Sequence, residues 1–411
     1  YSQWSRAEKL QLSNDARTRG GTEFVNAFFE VLGNRQLDVG LTASARVHLW
    51  KSLISRIENS VERGQIKPDA ASTQLIRAWA SEQLGDSLSE SATGGTGSTR
   101  LGIDKYKSAL KTYESLHNPS NPSDEVIYRI ANVQSKISLA YRDMNRSELE
   151  ARYLSDAQRS VGLLSKSGEY TAKREAGLAS SQMSLGLLLL RQCDVDRAIQ
   201  ELSRSLEVRN EMKIRYQDDP RRGPVANRWV FLCQGNLSDA YLKAGRLPEA
   251  TELAELSLAL REECVDKIEP NERQRMDVAN GERRLAQVLM ASKRYNRAID
   301  LLDNATDTMS DLIDQDRMDA SLRALQCSIE SAAVEVLLRT NQADAALRRA
   351  SNLTKLCNSF ETTLPEYPKV REYRALSALM LGKAFLAAEH QKDALDALDI
   401  SWHGYQVLVS E

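Results

Sequence analysis

The sequence predicts an all-α fold, a right-handed α-solenoid of about seven helical hairpins with an N-terminal helical cap. Two observations predict it. Five of the six steps between matching small or helix-opening positions are 48 residues long, and the sixth is 52. Apolar residues recur every three or four positions in both halves of a unit, which is the period of one helical face. The matching positions, here called anchors, are Gly102, Glu150, Ala198, Ala250, Ala298, Ala346 and Ala394.

Large and small residues occupy fixed places relative to the anchors. Twelve residues before the anchor, and again seven after it, most units carry a small residue. Because large side chains then face small ones, the two helices of a unit can interdigitate without voids. We therefore expect each unit to be a closely packed hairpin. The large apolar residues nine before the anchors are Tyr141, Leu189, Tyr241, Leu289, Leu337 and Phe385.

A turn is predicted between the two helices of each unit. Asp194, Gly245 and Asn341 are residue types that tolerate a left-handed backbone or cap the following helix. Cys193 occupies the turn position that Gly245 fills in the next unit. We expect equivalent turns in the other units.

Composition agrees with a solvated helical repeat protein. The 411 residues exceed the size at which one compact core stops growing, and 27% of them are charged. The net charge of -2 gives no general attraction for nucleic acid or an anionic membrane. Because the sequence lacks a run of about 18 apolar residues, we expect no transmembrane segment.

The repeat pattern resembles the tetratricopeptide repeat, most clearly in Leu185–Leu206 and Leu237–Leu258, and over about Ala70 to Glu411. The usual unit has 34 residues, so each unit here has about 14 extra. The long units are similar to those carried C-terminal to the kinase domain of bacterial transmembrane serine/threonine kinases. Segments 79–88, 106–116 and 260–289 carry this second resemblance.

This resemblance implies a non-catalytic scaffold or sensor that binds a protein or peptide, such as the regulatory region of a bacterial signalling protein. The alternative is a structural subunit or spacer in a larger, membrane-associated or soluble assembly. Because the chain begins at Tyr1 and not at Met, we expect a fragment or a processed form, preceded by an anchor or a catalytic domain. A cleaved signal peptide would leave the same start.

Two regions are expected to differ from the regular array at 66–411. Residues 1–65 are predicted to form the N-terminal cap, with Phe24, Phe28 and Phe29 as core contacts or as a surface for self-association. Residues 87–100 are predicted to be a flexible insertion. Their glycines do not match a phosphate-binding loop, since the motif lacks its lysine.

No catalytic, cofactor or metal site is predicted. The four histidines are scattered, and the five cysteines show no CxxC pair. The cysteines are interpreted as small core or turn residues. They favour a reducing compartment, although buried thiols also persist in exported proteins.

By resemblance, the first helix of each hairpin lines a concave face. A lining of mixed polarity suits a protein or peptide held by several modest contacts, whereas a small molecule would need a closed apolar pocket. The residues predicted to line this face are Met183, Leu187, Asp239, Arg283, Gln287, Glu335 and Lys383.

An arginine ladder is also predicted. Arg275, Arg323 and Arg371 are spaced 48 residues apart, and Arg174 and Arg228 lie close to the equivalent place in earlier units. These arginines could bind carboxylates or phosphates of a partner through bidentate contacts. They could instead pair with acids near the end of the preceding unit's second helix, or cap its terminal carbonyls, and the repetition of those acids favours this structural alternative. The acids are Glu211, Glu263 and Asp311.

Overall fold

A computed structural model describes residues 42–89, 97–165, 169–265 and 271–410 of the chain. Within these ranges the chain forms fifteen α-helices and no β-strand. The predicted all-α class is therefore confirmed, and so is the arrangement of seven consecutive hairpins after an initial helix.

The helices are numbered in chain order. The helix before the first hairpin is α1 (Ala43–Glu62), and the hairpins follow as units 1 to 7. Their bounds are α2 (Ala71–Leu88) and α3 (Thr99–Leu116); α4 (Asp124–Asp143) and α5 (Ser147–Gly162); α6 (Glu169–Arg191) and α7 (Val195–Arg215); α8 (Gly223–Lys243) and α9 (Leu247–Glu263); α10 (Glu272–Ala291) and α11 (Tyr295–Gln315); α12 (Ala320–Arg339) and α13 (Ala343–Thr363); α14 (Val370–Ala387) and α15 (Gln391–Ser410).

The first helices of successive units form the inner wall of the array. The two helices of each hairpin pack together, and the second helix of units 1 to 6 also packs against the first helix of the next unit. In addition, α4 contacts α6, α6 contacts α8, and the series continues through α10 and α12 to α14. Helices on the inside of a curve come closer together than those outside it, so these contacts place the first helices on the concave side.

The turns within units 2 to 7 share one backbone conformation. The residue five positions before each anchor has a positive φ between 55° and 73°, in the left-handed helical region. The next backbone N–H donates to the carbonyl of the large residue nine before the anchor, at 2.8 to 3.0 Å. This is the Schellman arrangement that ends a helix. The left-handed residues are Asn145, Cys193, Gly245, Lys293, Asn341 and Glu389.

The anchors and the small positions are buried where the two helices of a hairpin cross. All seven anchors are buried. The Ser238 hydroxyl donates to the carbonyl of Ala250 at 2.7 Å. A Cβ on Gly186 would lie 2.6 Å from Leu202 Cγ, so a larger residue would force the helices apart.

The described part of the predicted cap is α1, which the sequence predicts from Thr42 to Val61. The Thr42 hydroxyl accepts a hydrogen bond from the Ala45 N–H and caps the helix. Trp50 of α1 packs edge-on against Trp79 of α2, with ring centroids 5.0 Å apart. The predicted cap contacts Phe24, Phe28 and Phe29 lie outside the described residues.

The predicted flexible insertion at 87–100 is partly helical. Ser87 and Leu88 form the end of α2, and Thr99 begins α3, while residues 90–96 lie outside the described residues. Gly97 has a φ of +78°, and a Cβ there would lie 3.0 Å from Tyr367 Cβ. The end of this segment is therefore a packed contact with a distant part of the chain.

The array coils back on itself, because early units contact units five further along. The Ala43 N–H at the start of α1 donates to the Asp316 carboxylate at 2.7 Å. Lys369, before α14 of unit 7, pairs with Asp143 of unit 2 at 3.3 Å. The first contact joins the start of α1 to the connection between units 5 and 6, and the second joins the turn end of α4 to the connection between units 6 and 7. These contacts fix the curvature of the inner wall.

Replacing Lys293 by glycine should stabilise the protein. A residue with a Cβ is disfavoured in the left-handed conformation, and Lys293 (φ 59°) is exposed. We expect Lys293→Gly to raise the free energy of unfolding by about 0.5 to 1 kcal/mol, measured by urea denaturation. Lys293→Ala is the matched control and should give no gain. Equal effects of the two variants would contradict this account of the turn.

Removing the Asp316 carboxylate should loosen the coil. The carboxylate caps α1 and also accepts from the Met318 N–H at 3.1 Å. We expect Asp316→Ala to speed amide hydrogen exchange in the first turn of α1 and to cost about 1 kcal/mol of stability. Asp314→Ala is the control, since that side chain is 77% exposed. Unchanged exchange in α1 would show that the contact does not hold the coil closed.

Candidate functional site

The inner wall carries a stripe of half-buried side chains from consecutive first helices. All seven residues predicted for the concave face lie in this stripe and are partly exposed. They are Met183 and Leu187 on α6, Asp239 on α8, Arg283 and Gln287 on α10, Glu335 on α12 and Lys383 on α14.

Several of these residues contact one another or the neighbouring first helix. Arg283 donates to the Gln287 side-chain oxygen at 2.9 Å. Lys383 pairs with Glu335 of the preceding unit at 3.3 Å. Met183 accepts a weak hydrogen bond from the thiol of Cys233 on α8, at 3.7 Å. The wall is therefore ordered by side-chain contacts between units, which is how a binding surface is pre-organised.

Charge is balanced in the first part of the wall. Lys136 of α4 pairs with both Glu82 and Asp86 of α2, at 2.6 and 2.7 Å. Lys173 of α6 pairs with Glu125 of α4 at 3.2 Å. Burial opposes the charge of Glu82, but Lys136 and Arg129 outweigh it and lower the pKa of this carboxyl. These groups stabilise one another and leave little charge for a ligand.

Charge is unbalanced between α8 and α10. Arg228 makes a two-point contact with Asp277, at 2.8 and 3.3 Å. Arg284 pairs with Asp239 at 2.9 Å. Two further arginines interact electrostatically with this group. We call the four arginines the basic wall; they are Arg228, Arg261, Arg283 and Arg284.

Arg283 of the basic wall has amide partners only. It donates to the Asn280 oxygen at 3.0 Å and to the Gln287 oxygen at 2.9 Å. Among the described residues, no carboxylate lies within ion-pair distance of its guanidinium. Burial, with a smaller contribution from Arg284, lowers the pKa of Arg283 to about 10. The side chain is still charged at neutral pH.

Arg261 reaches the basic wall from the outer layer. It lies on α9, is 1% exposed, and passes between two glycines of the inner helices. A Cβ on Gly281 would meet Arg261 Cδ at 2.7 Å, and one on Gly235 would lie 3.5 Å from its Nη2. This Nη2 is buried without a hydrogen-bond partner. Burial, then repulsion from Arg284, lowers the pKa of Arg261 to about 9.

The residues of the predicted arginine ladder have different surroundings, and Arg228 pairs with Asp277 on the first helix of the next unit. Arg275 pairs with Asp311 at 3.1 Å, but Asp311 lies on the second helix of the same hairpin, whereas the spacing predicts an acid of the preceding unit. Arg323 donates to the backbone carbonyl of Arg317 at 2.8 Å. The side chain of Arg371 is exposed, and Nε of Arg174 has no hydrogen-bond partner.

Sequence reasoning missed Arg261 and Arg284 as members of the site. A signal for Arg261 does exist, because it lies eleven residues after the anchor Ala250, where four other units carry a buried tyrosine, valine, methionine or cysteine and unit 3 carries a second buried arginine, Arg209. A charged residue at a core position indicates a specific environment. Arg284 adjoins Arg283 in sequence and gives no comparable signal.

Other candidate features of the described residues are weaker. An open pocket of about 700 Å³ lies on the outer side, lined by parts of α9 and by Ser292 and Arg294. No cluster of His, Cys, Asp or Glu in the described ranges could hold a metal ion. Three cysteines are buried, as their interpretation as core residues predicts, and Cys193 is an exposed turn residue. No described helix could cross a membrane.

Comparison with known proteins supports the repeat fold. A tetratricopeptide repeat model matches residues 231–264, which span the end of α8 and all of α9. No curated protein matches the sequence. With the seven hairpins, this match shows that the chain is a tetratricopeptide-like helical repeat array.

Several solved structures are similar to the chain at low identity. BtubC from P. vanneervenii is 13% identical, with a TM-score of 0.45, over 66% of this chain and 92% of that one. A Rap protein complexed with Competence and Sporulation Factor is 10% identical, with a TM-score of 0.49, over 90% and 99%. A signal transduction ATPase with a tetratricopeptide repeat sensor, from Pyrococcus horikoshii, is 12% identical, with a TM-score of 0.48, over 88% and 49%.

The stability of the wall should depend on the protonation of Glu282 beside Arg283. Glu282 is 9% exposed, and burial, with repulsion from Glu262, raises its pKa from 4.5 to about 7. The folded state therefore binds more protons than the unfolded state between these values, so stability falls as pH rises through this window.

We expect Glu282→Gln to raise the free energy of unfolding by about 1 to 2 kcal/mol near pH 8 and to leave it nearly unchanged near pH 4.5. Urea denaturation at both pH values measures the difference. A gain of equal size at both would mean that packing, and not ionisation, explains the effect.

Proposed function

We propose that this chain is a non-catalytic interaction module that holds an extended segment of a protein or peptide along its inner wall. The observation that carries this proposal is the stripe of half-buried side chains from α6 to α14. These side chains are partly exposed and already ordered by contacts between units. A pre-ordered surface loses less entropy when it binds.

The chemistry of the stripe fits a polypeptide. It combines a thioether, an aliphatic side chain, amides and charges of both signs, spread over five first helices. An extended peptide offers backbone and side-chain groups at intervals, so it can use several modest contacts along such a surface. A catalytic role would instead need reactive groups that converge on one point.

A finer proposal is that the module is the regulatory region of a bacterial signalling protein, such as a serine/threonine kinase. It rests on the similarity of the long units and of segments 79–88, 106–116 and 260–289. A regulatory module would transmit binding through the contacts between units that are five apart, because these contacts fix the curvature of the wall.

A second candidate function is a spacer or structural subunit that assembles through its ends. Trp402 and Leu395 on α15 are 62% and 67% exposed. Leu395 is equivalent to Ile299 and Leu347, which pack into the hydrophobic cores of their units. An exposed apolar face at the last hairpin supports assembly. The self-association predicted for the N-terminal cap would use residues outside the described ranges.

Peptide binding to the inner wall can be tested with a random peptide library. Peptides of about twelve residues span about 40 Å when extended and could follow several units. We expect selection against the whole chain to enrich binders that compete with one another for a single surface. Their affinity should fall at least tenfold when Leu187, Gln287 and Lys383 are replaced together by alanine.

The matched control replaces Asn210, Asn304 and Lys355 by alanine, three exposed residues of second helices. These substitutions should leave the affinity unchanged. The proposal fails if no peptide is enriched, or if the outer-helix variant weakens binding as much as the inner-wall variant. Loss of binding on replacement of Trp402 alone would favour assembly through α15.

A further inference from the structure

The basic wall has more positive charge than its own carboxylates neutralise. The four arginines and Arg273 of α10 face two aspartates, Asp239 and Asp277. Asp239 pairs with Arg284, and Asp277 pairs with Arg228 and, at 3.9 Å, with Arg273. Two arginines therefore remain without a carboxylate partner. Buried charge is unfavourable unless it is compensated. An anion from outside the protein would therefore gain more binding free energy here than elsewhere on the inner wall.

Arg283 is placed to meet such an anion. Its guanidinium lies on the partly exposed stripe, and its amide partners hold it without neutralising it. A guanidinium held in this way keeps its charge and can exchange a neutral acceptor for an ionised one. Hydrogen bonds to a carboxylate are shorter and stronger than those to an amide oxygen.

Arg261 supplies the second, independent observation. Its guanidinium is buried with Nη2 unpartnered, next to the place where Gly235 lacks a side chain and beside Nη1 of Arg284. It donates to the backbone carbonyl of Asp277 and packs 4.5 Å from the Phe231 ring centre. Its Nε also donates to the Ser257 hydroxyl at 3.3 Å, and none of these partners carries a negative charge. Arg261 therefore adds positive potential behind the surface that Arg283 and Arg284 present.

We propose that the basic wall is the anchor point for a carboxylate group of the bound polypeptide, with Arg283 and Arg284 as its direct ligands and Arg261 as a charge behind them. This inference deepens the proposed function and rests on it. It names the ligand chemistry at one place of the groove, between α8 and α10. The rest of the inner wall, where charges are paired, makes weaker contacts with the other residues of the bound polypeptide.

The experiment is a double-mutant cycle between ligand and protein. Peptides enriched on the whole chain are synthesised with an amidated C-terminus, and each Asp or Glu is replaced in turn by Asn or Gln. We expect one acidic position whose replacement weakens binding at least tenfold. A peptide that binds only with a free C-terminus would identify the α-carboxylate as the anchor.

Replacing that acidic residue of the peptide should no longer weaken binding when the arginine that contacts it has been removed from the protein. With Arg283→Gln or Arg284→Gln, we expect acid and amide peptides to bind within about twofold of each other. Arg283→Lys should retain part of the preference. Arg197→Gln is the matched control, because Arg197 lies on a second helix with 67% exposure; there the tenfold preference should persist.

The outcomes separate this inference from the proposed function. Peptides that bind the inner wall but show no acidic preference, or a preference that survives both Arg283→Gln and Arg284→Gln, would overturn the carboxylate anchor and leave the interaction module in place. Failure to enrich any peptide would overturn both. Circular dichroism of each variant confirms that lost binding does not come from unfolding.

Discussion

The fold depends on one backbone constraint, the left-handed residue five positions before each anchor. In units 2 to 7 it lets the chain end one helix and begin the next in the same geometry. The resulting turn brings the anchor to the crossing point of the hairpin, where in unit 3 the helices approach so closely that position 186 has room only for glycine. Because the turns of units 2 to 7 are alike, their hairpins share one geometry and can stack in the same way along the array.

The curvature of the array brings distant units together. Asp143 and Lys369 are 226 residues apart in sequence, yet the Lys369 amine lies 3.3 Å from the Asp143 carboxylate. These long-range contacts also constrain the inner wall, since a change in its curvature would have to break them. A ligand that spans several units would therefore affect the same interactions that hold the coil. Binding and shape are coupled in such an array without any special hinge.

Structural features that recur in every unit can be predicted from the sequence, whereas contacts that occur only once cannot. The register and the turns follow from spacing, because each unit faces the same packing problem. The choice of Met183 to Lys383 as a concave lining rests in addition on the resemblance to the tetratricopeptide repeat. The contact of Ala43 with Asp316 has no period, since it depends on the accumulated rotation of several units. Arg261 could be predicted only in part. Its position in the register indicates that it is buried, but only the structure shows that Gly235 and Gly281 make room for it.

The charged groups of the first units and those of the basic wall differ in whether the protein itself neutralises them. Lys136 joins two acids, and such a network can be satisfied within the protein. Arg261 cannot be satisfied in the same way, because its charged group is buried beside other arginines. Unit 3 also carries a buried arginine at this position, Arg209, but Nη2 of Arg209 donates to the Ala176 carbonyl and to the Ser180 hydroxyl. Arg261 differs because its Nη2 has no hydrogen-bond partner. An uncompensated buried charge costs stability, and the proposed carboxylate of the ligand would supply the missing counter-charge.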